Sequence, residues 1–294
     1  MNKKILITGG GGFIARSLDE YLCSSYQIDR LNRDKLDLLN TNDVFSFIKK
    51  NQYDVIIHSA TYDAAPRFSI KDPKFVLENN LKMFFNITRC SEHFGKMIYY
   101  GSGAEFGRES WKPKMNEEYF DHRVPTDQYG LSKYVMTKHT LSSDNIYNLR
   151  LFGVFGEYDD WRYRFISNAC FKAALNKPIT FRKNVFFDFL YIKDLCKISK
   201  WFIENDAPSQ VYNVCSGSSI DYQTLAEKII QISGKNLEIV SLMPGFGSEY
   251  SGNNFLLMKD IPDLKFTPID EALRFMYNWS VSNIDLVRQE LFEY

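Results

Sequence analysis

The chain has 294 residues, 45% of them hydrophobic, and is long enough to bury a full core as one large domain or as two lobes. Lys plus Arg and Asp plus Glu each number 36, so the formal net charge is zero and the composition argues against nucleic acid as a partner. The five cysteines are widely spaced without a C-x-x-C pair, which favours reduced thiols and a cytoplasmic protein over a disulfide framework or a zinc site.

Short apolar runs alternate with longer segments of helical period in the first half of the chain. The patterns predict strands at 4–8, 55–58, 97–100 and 146–152, and helices at 13–22, 75–91 and 124–141. This alternation is typical of an α/β fold built on a Rossmann-type, doubly wound parallel sheet. The first apolar run is too short for a signal peptide, and no run reaches the roughly 18 residues of a membrane helix, so we expect no membrane association.

A smaller C-terminal α/β lobe is predicted to follow, with helices at 165–175, 194–203, 222–232 and 269–277. We expect residues 1–155 plus about 185–214 to form the Rossmann domain, and residues 156–184 plus 215–294 to form the second, substrate-binding lobe. Residues 243–252 are rich in Gly and Pro and are predicted to form a long loop over a site.

A glycine-rich turn follows the first predicted strand and opens the first predicted helix. Gly10-x-Gly12-x-x-Ala15 fits the dinucleotide fingerprint, in which one glycine makes the tight turn and another lets a pyrophosphate approach the backbone. A turn that serves geometry alone is the alternative. The dinucleotide interpretation predicts that the following residues bind the cofactor, with its phosphates at the helix N-terminus: Thr8, Gly9, Gly10, Gly12, Phe13 and Ile14.

The end of the second strand decides between two nicotinamide cofactors. A carboxylate there binds a ribose 2′-hydroxyl, whereas an arginine accommodates a 2′-phosphate. The segment contains Asp29, Arg30 and Arg33, and its weak pattern does not fix the last strand residue. We favour Arg33 and NADP(H), with NAD as the alternative. Both arginines as ordinary solvated charges remain a further alternative.

Two overlapping Tyr-x-x-x-Lys patterns compete for a catalytic role. Tyr129 with Lys133 and Tyr134 with Lys138 lie five residues apart, which rotates them by roughly 140° on a helix, so both cannot face one site. Tyr129 is the better candidate because small Gly130 and Ser132 next to it would admit a nicotinamide ring. A cation one turn away favours the phenolate, so Lys133 would let Tyr129 exchange protons near neutral pH.

Three motifs together resemble the extended short-chain dehydrogenases/reductases that modify nucleotide sugars: the glycine turn, Ser102-Gly-Ala-Glu-Phe-Gly107, and Tyr129-Gly-Leu-Ser-Lys133. The short second βαβ unit is most similar to the GDP-fucose synthase and dTDP-4-dehydrorhamnose reductase branches. The resemblance implies that Ser102 holds the substrate oxygen while Tyr129 exchanges the proton. It also implies further cofactor contacts at Asp37, Leu38, Ser59, Ala60 and Thr61, although Asp37 is equally a plain turn residue.

Departures from the family pattern narrow the chemistry. The 4,6-dehydratases carry Asp-Glu after the catalytic Ser or Thr, and here Gly103 and Ala104 stand there, which disfavours dehydration. We expect Gly103 to border the substrate. Phe187 replaces the arginine that usually meets the substrate phosphates in this family. Arg182, with Lys183, is a candidate replacement, although two exposed charges are as good an interpretation.

The sequence therefore predicts an NADPH-dependent reductase of a nucleotide-linked 4-keto-6-deoxy sugar. An NAD-dependent 4-epimerase uses the same residues, and a non-catalytic dinucleotide-binding regulatory protein is the alternative from another class. The four histidines show no metal-ligand spacing, so no metal is expected, and no nucleophile elbow is present. The resemblance further implies a homodimer formed through the helix at 75–91 and the helix of Tyr129.

Overall fold

The computed structural model describes residues 2–64 and 69–287. Eleven strands are present in these residues. In chain order they are β1 (Lys4–Thr8), β2 (Gln27–Leu31), β3 (Tyr53–His58), β4 (Phe94–Ser102), β5 (Ile146–Leu151), β6 (Gly153–Phe155), β7 (Ile179–Asn184), β8 (Phe186–Tyr191), β9 (Val211–Val214), β10 (Ser219–Asp221) and β11 (Ile239–Phe246).

Nine α-helices pack around these strands in the described part of the chain. They are α1 (Phe13–Leu22), α2 (Thr41–Asn51), α3 (Val76–Thr88), α4 (Gln128–Thr140), α5 (Phe165–Ala174), α6 (Ile192–Glu204), α7 (Tyr222–Ser233), α8 (Phe255–Asp260) and α9 (Ile269–Ser282). Seven of them were predicted, with ends displaced by up to five residues. Helix α4, for example, begins after Asp127, whose carboxylate accepts a hydrogen bond from the Gly130 amide and caps the helix.

The central sheet is six-stranded, parallel and ordered β2-β1-β3-β4-β5-β9. Helices cover both faces, so its inner strands are continuous apolar runs such as Ile5-Leu6-Ile7 and Ile56-Ile57, all fully buried. The predicted fold class is confirmed. Because β2 lies on one side of β1 and β3 on the other, a crevice opens at the carboxyl ends of β1 and β3, where such sheets bind ligands.

Helix α2 was not predicted, because its apolar face is sparse: only Val44 and Ile48 are buried. Between Leu31 and Thr41 the chain forms turns that bury Leu36 and Leu38. Asn40 then caps α2, its side chain accepting hydrogen bonds from the Asn42 and Asp43 amides. In this second unit, the turns at 32–40 join β2 to α2 without a further strand.

The second lobe is built from two small sheets and three helices. Strands β6, β8 and β10 form one sheet, and β7 pairs with β11 in another. Helices α5, α7 and α9 pack on one another beside them. Strand β8 thus joins the second lobe, whereas α6 packs on α1 and β9 returns to the central sheet. The expected assignment of about 185–214 to the Rossmann domain stays a prediction, since β9 pairs in the central sheet but β8 does not.

Candidate active site

The glycine turn joins β1 to α1 in a backbone conformation that requires glycine. Gly9 has a φ of +69°, and a Cβ there would lie 2.8 Å from the backbone of Ala60, so the loops after β1 and β3 touch. A Cβ on Gly10 would lie 2.9 Å from the Arg30 side chain. Gly12 precedes α1 and, in the described chain, no side chain caps that helix. The first-turn amides are therefore available to a phosphate group.

The loop after β3 is fixed by hydrogen bonds to β1 and to α3. The Ser59 hydroxyl donates to the Thr8 carbonyl at 3.1 Å, and the Ala60 amide donates to Thr8 Oγ1 at 3.3 Å. Asn80 of α3 accepts from Thr61 at 3.4 Å. His58 lies 2.9 Å from Thr8 Oγ1, and burial lowers its pKa to about 3, assisted by the charge of Lys133. His58 is therefore a neutral core residue.

The end of β2 shows which of the candidate ribose-facing side chains the protein itself engages. The strand ends at Leu31, and Asp29 accepts a hydrogen bond from Tyr53 at 2.6 Å. Arg30 is held between Asp19, at 2.7 Å, and the Gly10 carbonyl. These two side chains are thus engaged by the protein. Arg33 follows the strand and remains in the position that was favoured for a 2′-phosphate.

Arg33 is mostly exposed and pairs with Asp37 at 3.1 Å, one helical turn along the chain. The other oxygen of Asp37 accepts the Leu39 amide at 3.0 Å, which makes Asp37 a turn residue. Leu38 is buried, and its carbonyl accepts a hydrogen bond from Asn86 of α3. The adenine contacts expected at Asp37 and Leu38 stay a prediction.

A cavity of about 690 Å³ opens at the carboxyl end of the sheet and contains the predicted catalytic residues. Ser102 comes from the end of β4, and Tyr129 and Lys133 from the first turns of α4. Phe13, Ile14, Ser59 and Thr61 line the same cavity, so the cofactor motif and the catalytic motifs meet in one space.

Ser102 is held by a short helical turn that starts beside it. Its Oγ accepts the Ala104 amide at 3.2 Å, and its own amide donates to Glu105 Oε1 at 3.1 Å, forming a reciprocal capping box. The Ser102 hydroxyl also lowers the pKa of two phenols, those of Tyr129 and Tyr250. The serine therefore stands at the centre of the catalytic group.

A buried ion pair supports this turn from behind. Glu105 and Arg150 are both fully buried, with Arg150 Nε 3.2 Å from Glu105 Oε1. The same carboxylate accepts hydrogen bonds from Thr137 of α4 and from Asn148 of β5, the latter at 3.3 Å. Strand β5, helix α4 and the Ser102 turn are thereby fixed relative to one another.

Lys133 is buried, and its ammonium group donates to the Tyr100 carbonyl at 2.7 Å. Burial lowers the pKa of Lys133 to about 8, while the carboxylates of Glu105 and Asp63 oppose that shift. Its Nζ lies 5.8 Å from the centre of the Tyr129 ring. Lys133 is thus directed at the floor of the cavity beside the phenol.

The environment of Tyr129 contains charges that sequence reasoning did not find. Burial raises the pKa of the Tyr129 phenol, and the Asp63 carboxylate adds to the rise. The Ser102 hydroxyl and the guanidinium groups of Arg164 and Arg108 act in the opposite direction. Two arginines therefore join Lys133 as cations that bear on this site.

The rival pair lies on the other side of α4. Tyr134 and Lys138 are at the surface, and both bind Asp121, the lysine at 2.8 Å. Only the first Tyr-x-x-x-Lys pattern faces the cavity. Gly130 and Ser132 were expected to make room for a nicotinamide ring, but neither is among the described residues that line the cavity. A Cβ on Gly130 would lie 2.7 Å from the Ala104 carbonyl, so close packing explains the glycine.

Of the residues predicted to contact the substrate, Gly103 lies next to the cavity and Arg182 lies away from it. Gly103 is buried beside Ser102, and a Cβ there would lie 2.6 Å from the Tyr250 hydroxyl. Phe187 lines the cavity. Arg182 lies exposed on β7, outside the set of described residues that line the cavity. The structure does not bring Arg182 to the site because its side chain leaves β7 on the solvent side.

Among the cavity residues that sequence reasoning missed are Arg108, Arg164 and Tyr250. None belongs to a motif, and each reaches the cavity from a different element. The segment 243–252 was expected to cover a site, and its Tyr250 does line the cavity, although β11 extends to Phe246. Arg164 directly precedes α5, and no periodic pattern marks it as a site residue.

The fold and the site define a Rossmann-type protein with a Ser-Tyr-Lys group at a dinucleotide crevice. Residues 5–215 match the NAD dependent epimerase/dehydratase family, and the chain belongs to that family. Protein CapI of Staphylococcus aureus is 26% identical and is aligned over 94% of this chain and 98% of its own length. The family resemblance found in the sequence is therefore confirmed.

Solved structures share the whole fold. A GDP-L-fucose synthetase from Naegleria fowleri bound to NADP superposes with a TM-score of 0.83 at 17% identity, covering 98% of this chain and 95% of its own. The UDP-glucose 4-epimerase of Thermus thermophilus in complex with NAD gives 0.80 at 18% identity, covering 95% and 99%. Within residues 2–64 and 69–287, no helix is long and apolar enough to cross a membrane.

Proposed function

We propose that the protein is an NADPH-dependent reductase of a nucleotide-linked 4-keto-6-deoxy sugar. The convergence of Ser102, Tyr129 and Lys133 in one cavity with the glycine turn carries this proposal. The similar structures include both a GDP-L-fucose synthetase with NADP and a UDP-glucose 4-epimerase with NAD. Reduction is preferred to dehydration because neither Gly103 nor Ala104 offers a group for acid or base work.

The residues of the crevice fit a dinucleotide. The uncapped start of α1 offers backbone donors to a pyrophosphate. Arg33 would leave its exposed pair with Asp37 to meet a 2′-phosphate, since such surface pairs are weak. When bound, the nicotinamide supplies the hydride.

The protein's own residues then have distinct tasks in reducing a ketone. The Ser102 hydroxyl donates a hydrogen bond to the carbonyl oxygen and polarises it. The Tyr129 phenol gives its proton to that oxygen as the carbon receives the hydride, so the products are the alcohol and a phenolate that is reprotonated from solvent. Lys133 remains beside the phenol, where its positive charge stabilises the anion.

The substrate diphosphate needs cations, and the cavity wall supplies two. Arg164 and Arg108 both line the cavity, whereas Phe187 occupies the place of the usual arginine of the family. Guanidinium groups bind phosphate oxygens in a bidentate manner. We therefore transfer the expected substrate grip from Arg182 to these two residues.

One experiment separates the reductase from its main alternative. A 4-epimerase that removes and returns one hydride keeps NAD⁺ bound, so the purified protein is denatured and the released nucleotide identified. A panel of nucleotide-linked 4-keto sugars is then offered with NADPH or NADH. We expect no stoichiometric NAD⁺ and preferential oxidation of NADPH. Stoichiometric NAD⁺ with no turnover of the panel would refute the reductase proposal.

The expected homodimer is part of the same proposal. Helices α3 and α4 pack beside each other, and Phe75, just before α3, is about half exposed. A dimer through these helices would cover such apolar surface. Light scattering of the purified protein measures the mass, and a mass near one chain would refute it.

A further inference from the structure

Tyr250 enters the cavity from the second lobe and is held there rigidly. Its amide donates to the Phe186 carbonyl at 2.9 Å, and its carbonyl accepts the Asp188 amide at 3.0 Å. Its ring lies between Trp111, at 4.1 Å between ring centres, and Phe187, at 5.0 Å. The side chain is only 7% exposed. Backbone pairing and ring packing thus fix the position of its hydroxyl.

The hydroxyl of Tyr250 approaches Ser102 across Gly103, which has no side chain. Ser102 and Tyr250 line the same cavity, and the Ser102 hydroxyl lowers the pKa of the Tyr250 phenol. A Cβ on Gly103 would lie 2.6 Å from the Tyr250 Oη and 2.9 Å from the Phe152 ring. Any larger residue at 103 would push the phenol away, so Gly103 is what lets Tyr250 reach the serine.

The donors and acceptors of the Ser102 hydroxyl determine where its proton can point. A serine hydroxyl has one proton to donate and two lone pairs that accept. The Ala104 amide takes one lone pair of Ser102 Oγ at 3.2 Å. If Tyr250 donates to the second, the proton of Ser102 can only point away from both, towards Tyr129 and the substrate oxygen.

We propose that Tyr250 is a positioning residue that donates a hydrogen bond to Ser102 Oγ and so fixes the Ser102 hydroxyl as a donor to the reacting oxygen. This inference rests on the proposed reductase function. The second lobe would then help to orient the Ser102 hydroxyl, because the backbone of Tyr250 is hydrogen-bonded to β8. Tyr250 keeps its proton throughout, and Tyr129 alone transfers one.

The environments of the two phenols agree with this division of work. Burial raises the pKa of Tyr250 far above its ordinary value, so Tyr250 remains a hydrogen-bond donor at any physiological pH. Burial also raises the pKa of Tyr129. Ser102 and Arg108 oppose the rise at both phenols, and Arg164 adds to that opposition at Tyr129. Lys133 and Asp63 are the remaining charged groups close to this phenol. The phenol that loses a proton more readily is the one in the Tyr-x-x-x-Lys pattern.

The test is a double-mutant cycle between Tyr250→Phe, which removes only the hydroxyl, and Ser102→Ala. Loss of one donor to a developing oxyanion costs about 10²–10³ in rate, and a donor that acts through Ser102 should cost less, about 10- to 100-fold in kcat. NADPH affinity should stay unchanged. In the Ser102→Ala protein, Tyr250→Phe should add almost nothing. Tyr134→Phe, a surface tyrosine on α4, is the matched control and should behave as wild type.

A pH profile gives a readout that loss of packing would not change. Without Tyr250 the Ser102 hydroxyl is free to rotate and stabilises the Tyr129 phenolate less, so the pKa of Tyr129 rises. Reduction needs the protonated phenol, so the alkaline limb of kcat/KM should move to higher pH in Tyr250→Phe. An unmoved limb together with multiplicative losses in the cycle would overturn the proposal.

A thermal double-mutant cycle decides the same question without any turnover. Tyr250→Phe should lower the Tm of the wild type more than that of Ser102→Ala, and Gly103→Ala should mimic it by displacing the phenol. Additive Tm changes would refute the link between Tyr250 and Ser102. A wild type that reduces no sugar of the panel would instead refute the proposed function, and the thermal cycle would still judge Tyr250.

Discussion

Replacing Glu105 by Gln tests the ion pair beneath the Ser102 turn. The substitution keeps the shape of the side chain but removes its charge, leaving the buried Arg150 without a counter-ion, although Asn213, at 3.0 Å, still accepts from it. Breaking one side of a buried pair costs about 3–5 kcal/mol. With an unfolding entropy of about 2.1 cal/mol/K per residue over 294 residues, Tm should fall by about 5–8 °C.

Thermal unfolding followed by circular dichroism measures this effect. Glu105→Gln combined with Arg150→Met should regain much of the lost stability, because the unpaired cation is then gone. Asp121→Asn breaks the exposed pair with Lys138 and is the matched control, expected to change Tm far less. If Glu105→Gln left Tm unchanged, or if the double variant melted no higher than the single one, the ion pair would not hold the turn as argued.

Three further outcomes are expected. Burial raises the pKa of Asp159 to about 6, so the stability that its protonated form contributes is complete below the unfolded pKa near 3.9 and is lost as pH rises through 6. The Tm of Asp159→Asn should therefore rise relative to that of the wild type between about pH 4 and pH 7.5. A Tm difference that stays constant over this range would contradict the prediction. Tyr129→Phe should lower kcat by about 100-fold or more while Tyr134→Phe retains full turnover, as followed by NADPH absorbance; equal losses would contradict the choice between the two patterns. Gly9→Ala strains a positive φ and places a Cβ 2.8 Å from Ala60, so its free energy of unfolding should fall by about 1–3 kcal/mol. A fluorescence titration should also show weakened NADPH binding, and an NADPH affinity equal to that of the wild type would contradict this.

Local patterns carried most of the fold and the core of the candidate site. The apolar run of β1, the glycines after it and the period of α1 predict a strand, a tight turn and a helix from neighbouring residues alone. Tyr129 and Lys133 are one helical turn apart, so their shared face also follows from the sequence. Helix α2 was missed because its signals are a polar cap at Asn40 and a sparse apolar face.

Residues without a local pattern could not be placed in advance. Arg33 and Asp29 were open alternatives in the sequence, and the hydrogen bond that Tyr53 donates to Asp29 is a tertiary contact that no local pattern indicates. Arg182 was a reasonable phosphate ligand by sequence distance to Phe187. Side chains along β7 alternate between the two faces of the strand, however, and Arg182 lies on the face exposed to solvent. Sequence distance measures reach along the chain, whereas a site depends on which face of an element turns inward.

The sequence by itself determined the family, the parallel sheet and the Ser-Tyr-Lys group, because each is encoded in short spacings that obey strand, turn and helix geometry. Only the tertiary structure decided what surrounds that group. Arg164 and Tyr250 come from segments that are far from Ser102 along the chain, and packing of the second lobe brings them into one cavity. Burial and charge at the site follow from that packing, since both depend on neighbours in space.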